Sequence, residues 1–270
     1  MATTSYVLGY SPEEHARLAR QANLNREGAV ALLDRIGVQP GWRVADLGCG
    51  PVGILELLAE RVGPTGSVVG LDQAAQTVAL ARAFVAGQGL TNVRVEEGDA
   101  GATGLPRASF DLVHARLVLC HTPDPQRILT EMVALIRPGG MVAVQDIDAT
   151  ASFCEPPHPA YETLMNAYQA LLHEQGQDAR IGRRLFGLLR SAGLADVDMI
   201  ARSQVLRAGT GAQAQLPNII RSVGARLVAR GYFTEAALVA QLADLEAHLA
   251  APDTITLTAT MFQAWGHKPV

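Results

Sequence analysis

The sequence predicts an α/β fold, a single domain over residues 1–270 built on a mostly parallel sheet with helices on both faces. Two observations carry this. Between Val44 and Ile147, apolar runs of strand length alternate with longer stretches whose apolar residues recur every three or four positions. Such alternation implies right-handed crossovers between parallel strands. The second is a junction: Val44-Ala45-Asp46-Leu47 runs into Gly48-Cys49-Gly50-Pro51-Val52-Gly53, after which Ile54, Leu57, Leu58 and Val62 follow at helical spacing until Gly63-Pro64. Glycines there let the backbone adopt positive φ and approach a ligand. The N–H groups of the helix that follows are expected to be free for a polar or anionic group, with Pro51 at the first helical position.

Taken in order, residues 1–10 read as an extended lead-in to a helix capped near Ser11, with Pro12 at its first position and Glu13-Glu14 in its first turn. Arg17 and Gln21, four apart, share a face of that helix. Residues 26–37 form an amphipathic helix closed by Gly37. The alternation then gives strand 43–47, helix 52–62, strand 67–71, helix 74–87, strands 92–96 and 110–115, helix 125–136 and strand 140–147. Past residue 150 the pattern changes. Cys154 to Pro159 is a proline-rich loop, and Leu164, Met165, Tyr168, Leu171 and Leu172 make the apolar stripe of a helix. A helix over 178–192, a strand over 197–206, helices over 213–229 and 234–250 and a last strand over 254–265 complete the chain. Residues 1–30 read as a helical cap, 40–150 as the ligand-binding core, and 151–180 and 208–252 as lid insertions.

A hydrophobic content of 49% is ample for a buried core. A net charge of −4 with scattered Lys and Arg gives no footprint for nucleic acid or an anionic membrane. Cys49, Cys120 and Cys154 lack a Cys-x-x-Cys spacing, so neither a disulfide framework nor a zinc site is read, and a reducing, cytoplasmic location is expected. No signal peptide or membrane span is read. Leu238, Leu242, Leu245 and Leu249 form a seam that could pack on the lid or on a second copy, so a homo-oligomer is expected.

Gly48-x-Gly50-x-x-Gly53 with Asp72 closing the next strand matches a dinucleotide fingerprint. Asp46 redirects the reading, because a carboxylate two residues before the first glycine repels a pyrophosphate and suits a cationic ligand. At this point the chain resembles the class I S-adenosylmethionine (SAM) methyltransferase family, whose first motif is Asp-x-Gly-x-Gly. The resemblance extends through Asp72, Gly98-Asp99-Ala100, Leu105-Pro106, Phe110-Asp111-Leu112-Val113 and Leu135-Ile136-Arg137-Pro138-Gly139-Gly140, covering residues 1–150.

The resemblance implies a Rossmann-like class I methyltransferase fold: a seven-stranded, mostly parallel sheet with an antiparallel edge strand and helical lid insertions. It implies SAM as cofactor and S-adenosylhomocysteine as product. Asp46, Gly48 and Gly50 would belong to the cofactor turn, Asp72 with Gln73 would meet the ribose, and Gly98, Asp99 and Ala100 the adenine. Tyr6 and Arg17 match a segment that closes over the cofactor in relatives acting on secondary metabolites. Arg116, directly after the fourth strand, could bind the methionine carboxylate in a bidentate pair, or an acidic neighbour.

The sulfonium methyl of SAM is already activated, so its transfer depends mainly on proximity and orientation. A general base is not required. His121, in the loop after the fourth strand, is the one histidine placed to act as one, and also the one placed to pack that loop. His114 reads as a sheet residue. Tyr161, Tyr168 and Glu155 fall on the lid, and the arginines at 180, 183, 184 and 190 read as a solvated face. No metal is expected. The function expected is methyl transfer to an oxygen, nitrogen or carbon of a small-molecule acceptor, a secondary metabolite. The alternatives are a SAM-binding protein of the same fold that does not methylate and, more remotely, an NAD-dependent oxidoreductase.

Overall fold

The computed structural model describes residues 12–209 and 212–270. Helices α1 (Pro12–Leu24) and α2 (Arg26–Ile36) come first, the second ended by Gly37 at φ +69°, whose N–H bonds the Leu33 and Asp34 carbonyls. There follow β1 (Arg43–Leu47), α3 (Leu55–Val62), β2 (Ser67–Asp72), α4 (Ala75–Gly87), β3 (Val93–Glu97), β4 (Phe110–Arg116), α5 (Pro125–Leu135) and β5 (Ile136–Asp148). Asp124 caps α5 by accepting the Arg127 N–H, with Pro125 in the first turn where no N–H is needed.

The remainder is β6 (Phe153–Glu155), α6 (Pro159–Glu174), α7 (Leu185–Ser191), β7 (Ala195–Arg202), β8 (Val205–Arg207), α8 (Gln215–Ala229), α9 (Glu235–Leu249), β9 (Ile255–Leu257) and β10 (Thr260–His267). The main sheet has seven strands in the order β3-β2-β1-β4-β5-β10-β7. β1 to β5 pair in parallel, and β10 runs antiparallel between β5 and β7 toward one edge, as the resemblance implied. Apolar side chains of α2, α3 and α4 cover one face; those of α5 and α7 cover the other. A third apolar cluster joins α6, α8 and α9 into the helical lid.

Four local expectations are corrected. α3 starts at Leu55, not at 52, because Gly53 sits at φ +48° and cannot continue into a helix; Pro51 stays in the turn. The helix expected over 178–192 is a 3-10 turn, Ile181–Arg184, followed by α7. Gly182 presses there on the Asp146 and Ile147 backbone, where even a methyl group would stand 2.7 Å from the Asp146 carbonyl oxygen. The two long strands expected over 197–206 and 254–265 each break, at 203–204 and 258–259, into β7 and β8 and into β9 and β10.

The breaks have one cause. β6, β9 and β8 form a second, three-stranded sheet in that order, continuing β5, β10 and β7 in the same order across a short gap. The leucine seam of α9 packs inside the lid: Leu238, Leu245 and Leu249 are buried against α6 and α8, with Leu242 beside them. No described helix is long and apolar enough to cross a membrane.

Leu129 of α5 is fully buried in the core beneath the sheet. Leu129→Ala is expected to lower the unfolding free energy by about 2–5 kcal/mol in a urea titration; a loss under about 1 kcal/mol would mean that this cluster is not close-packed.

Candidate functional site

A cavity of about 1190 Å³ lies over the carboxyl ends of the parallel strands, between the sheet, α1 and the lid. Its sheet side is polar. At the turn after β1, Gly48 and Gly50 adopt φ of +68° and +65°. A Cβ on Gly48 would stand 2.5 Å from Val118 Cγ2, whereas one on Gly50 would meet nothing within 4 Å. The first glycine is needed for packing; the second leaves open space above it.

The amides of this turn are already used. Gly48 N–H and Cys49 N–H both donate to the Leu71 carbonyl, at 2.7 and 3.0 Å. Gly50 N–H donates to Asp72 Oδ2 at 3.1 Å, and Ala74 N–H to Asp72 Oδ1 at 3.1 Å. β2 consumes these three N–H groups, and what this stretch of the turn offers a ligand is carboxylate. Burial raises the Asp72 carboxyl above its ordinary range, against the Ala74 and Gly50 N–H bonds that lower it.

Asp46 is buried on β1, with Oδ1 2.7 Å from His114 Nδ1. Beyond β3, burial alone would raise the Asp99 carboxyl, but its ion pair with Arg127 and the Gly101 N–H hold it below the usual range. Arg116 ends β4. Burial depresses its pKa, partly offset by the Asp46 charge, and its Nη1 is buried without a hydrogen-bond partner among the described residues.

Opposite these groups, α1 brings Arg17, which makes a bidentate pair with Glu14 at 2.7 Å for each bond; Ser222 of α8 also donates to Glu14. The lid contributes the apolar wall: Tyr161, Met165 and Tyr168 of α6, Leu216 and Ile219 of α8. Burial pushes both tyrosine hydroxyls up, so they remain protonated donors at neutral pH.

A family model described as a methyltransferase domain matches residues 39–185, more than half of the chain. The chain belongs to this methyltransferase-domain family. Nocamycin O-methyltransferase of Saccharothrix syringae is 38% identical over 119 residues, covering 44% of this chain and 42% of that protein. The chain spans about half the length of the curated relatives it matches. Among solved structures, phosphoethanolamine N-methyltransferase 2 of Haemonchus contortus, in complex with S-adenosyl-L-methionine, superposes with a TM-score of 0.57 at 19% identity, over 90% of this chain and 53% of that one. The [4+2]-cyclase SpnF gives 0.53 at 19% identity, over 89% and 80%. Both likenesses are of fold.

Arg17, before the matched domain, and Asp46, Gly48, Gly50, Asp72, Gln73, Gly98, Asp99, Ala100, Arg116 and His121, within it, all line the same cavity. Tyr6 lies outside the described residues. Asp146, near the end of β5, is turned away from the cavity. It is fully buried and accepts the Cys120 N–H, and burial raises its carboxyl to about 6. Asp148 is tied to Thr150 and Arg183, Arg184 pairs with Asp178, and Arg190 stacks on Phe186. Among the described residues no group of three His, Cys, Asp or Glu could hold a metal.

Arg127 and Gln145 also line the cavity and escaped the sequence reading. The signal for Arg127 was its place in the first turn of α5, at the edge where Asp99 was already expected. Gln145 was legible as a polar residue inside an otherwise apolar strand.

His121 lies in a 3-10 turn, Leu119–His121, its carbonyl accepting from Gln177 Nε2 at 3.1 Å. Burial, then the Arg17 charge, lowers its pKa to about 4. The ring is neutral at physiological pH and a weak base. A depressed folded-state value means that its contribution to stability is present above about 6.5 and is lost as pH falls through about 4. The imidazole NMR signals of His121 are expected to stay those of a neutral ring from pH 7 to 5; a midpoint between 6 and 7 would place the ring in water.

Proposed function

We propose that this protein is a SAM-dependent methyltransferase that acts on an oxygen, nitrogen or carbon of a small, largely apolar acceptor. One observation carries the reading: the glycine turn spends its amides on β2 and borders its cavity with carboxylates. Such a surface suits a sulfonium nucleoside carrying an amine and repels a pyrophosphate, which argues against an NAD-dependent oxidoreductase. The open space over Gly50 and the unpartnered Nη1 of Arg116 fit the same ligand, the first as a close approach for the nucleoside, the second as a cation for the methionine carboxylate. Asp72 with Gln73 would hold the ribose, Gly98, Asp99 and Ala100 the adenine, and Arg17 would close the cavity from α1, with Tyr6 assigned by resemblance alone.

Bound there, SAM supplies an activated methyl; the chain's own contribution is to align the acceptor and keep water out. A cavity of about 1190 Å³ exceeds the roughly 300–1,000 Å³ usual for a single small-molecule site, so it has room for both. The acceptor would lie against Tyr161, Met165, Tyr168, Leu216 and Ile219, where the only ready bond donors are hydroxyls. That wall favours an aromatic or polyketide-like metabolite over an anionic one. The O-methyltransferase named for nocamycin is similar over 44% of this chain, and supports the secondary-metabolite reading to that extent.

A second reading, a binder or rearrangement catalyst of the same fold, is favoured by the weak basicity of His121 and by the likeness to a [4+2]-cyclase. Incubation with SAM and a panel of phenolic and enolic acceptors separates the two, since only methyl transfer releases S-adenosylhomocysteine. Titration with NADH is expected to give no binding.

Two variants test the site. Asp72→Ala is expected to weaken SAM about tenfold or more by calorimetry, as lost hydrogen bonds to a charged group do. Arg116→Met is expected to weaken SAM at least as much while leaving decarboxylated SAM unaffected; equal losses for both ligands would remove Arg116 from the carboxylate.

A further inference from the structure

A chain of buried polar side chains crosses four adjacent strands below the glycine turn. Asp46 on β1 stands in register with His114 on β4, its Oδ1 2.7 Å from Nδ1. His114 Nε2 lies 2.9 Å from Gln145 Nε2 on β5. Gln145 is in register with Gln263 on β10, whose Nε2 donates to Gln145 Oε1 at 2.6 Å and to the Gly28 carbonyl of α2 at 3.0 Å. All four side chains are buried, and Asp46, Gln145 and Gln263 border the cavity.

The direction of this chain is set from its far end. A backbone carbonyl only accepts, so Gln263 must turn its NH₂ toward Gly28; flipped, its oxygen would face the Gly28 oxygen. The same NH₂ serves Gln145 Oε1, which leaves the Gln145 NH₂ as donor to His114 Nε2. That nitrogen must then be bare, and the single proton of the neutral ring stands on Nδ1, aimed at the Asp46 carboxylate. Asp46 Oδ2 is left under the glycine turn, 3.6 Å from where a Cβ on Gly53 would stand.

We propose that His114 is a positioning residue. Through a tautomer dictated by Gly28, Gln263 and Gln145, it occupies Asp46 Oδ1 and presents Oδ2 to the cofactor. The proposal rests on the reading of this cavity as a SAM site. It also ties α2 to the cofactor carboxylate across the width of the sheet.

Calorimetry with S-adenosylhomocysteine tests it on the wild type, His114→Leu and His114→Asn, the asparagine amide offering a donor where Nδ1–H stood. The leucine variant is expected to lose about tenfold or more in affinity, and the asparagine variant to stay within about threefold of wild type. Leucine binding within that same margin, or asparagine closer to leucine than to wild type, overturns the proposal. Should the leucine variant lack a cooperative melt, ¹⁵N spectra of the wild-type imidazoles decide: Nδ1–H with bare Nε2 is expected, and an Nε2–H tautomer or an imidazolium at neutral pH overturns it. If the wild type itself binds no S-adenosylhomocysteine, the cofactor reading fails, while the tautomer still tells whether His114 holds Asp46.

Discussion

The Leu71 carbonyl, accepting from both Gly48 and Cys49, is the constraint from which the rest of the site follows. It binds the glycine turn to the end of β2, and Asp72 repeats the tie one residue later through the Gly50 N–H. Those three donors are therefore not available to an anion. The ligand end of the sheet is then defined by what the strands carry there, which is Asp46, Asp72 and Asp99. The same glycine spacing in a dinucleotide site works by the opposite logic, with free amides and a helix terminus facing the phosphates. Gly53 enforces the difference here, since its positive φ delays α3 until Leu55, away from the turn.

The parallel half of the fold was legible because each element there is written locally. Strands β1, β2 and β4 and the centre of β5 are apolar runs, the helices between them have three- to four-residue periodicity, and the boundaries fall within about four residues of expectation. The carboxylates and glycines of the site could be read for the same reason. In an open parallel sheet, topology delivers strand ends to one edge, so position in sequence implies position in the cavity. Asp146 shows the limit of that rule. It stands on the right strand, between Gln145 and Ile147, which line the cavity, but its own side chain turns to the Cys120 N–H.

What stayed illegible depends on distant partners. Nothing in residues 197–206 or 254–265 marks where a strand leaves one sheet for another, because both halves keep the alternating pattern. The α9 leucines look the same whether they meet another copy or α6 and α8. His121 has the position of a base, yet burial and Arg17 set its proton affinity, and neither is visible in the loop that carries it. The Asp46–His114 link was hidden in the same way, requiring the register of two strands 68 residues apart.

Because β6, β9 and β8 prolong β5, β10 and β7 in unchanged order, the three gaps between them fall side by side and form a crease. Gln204 and Thr258 clasp each other across it by two bonds of 3.0 Å, and Ser203 meets Thr260 at 2.9 Å. Of the crease residues, Ala149, Ser152, Ser203, Gln204, Thr258 and Ala259 line the cavity. The lid sheet therefore joins the main sheet along a line of hydrogen-bonded polar residues that is itself part of the cavity wall.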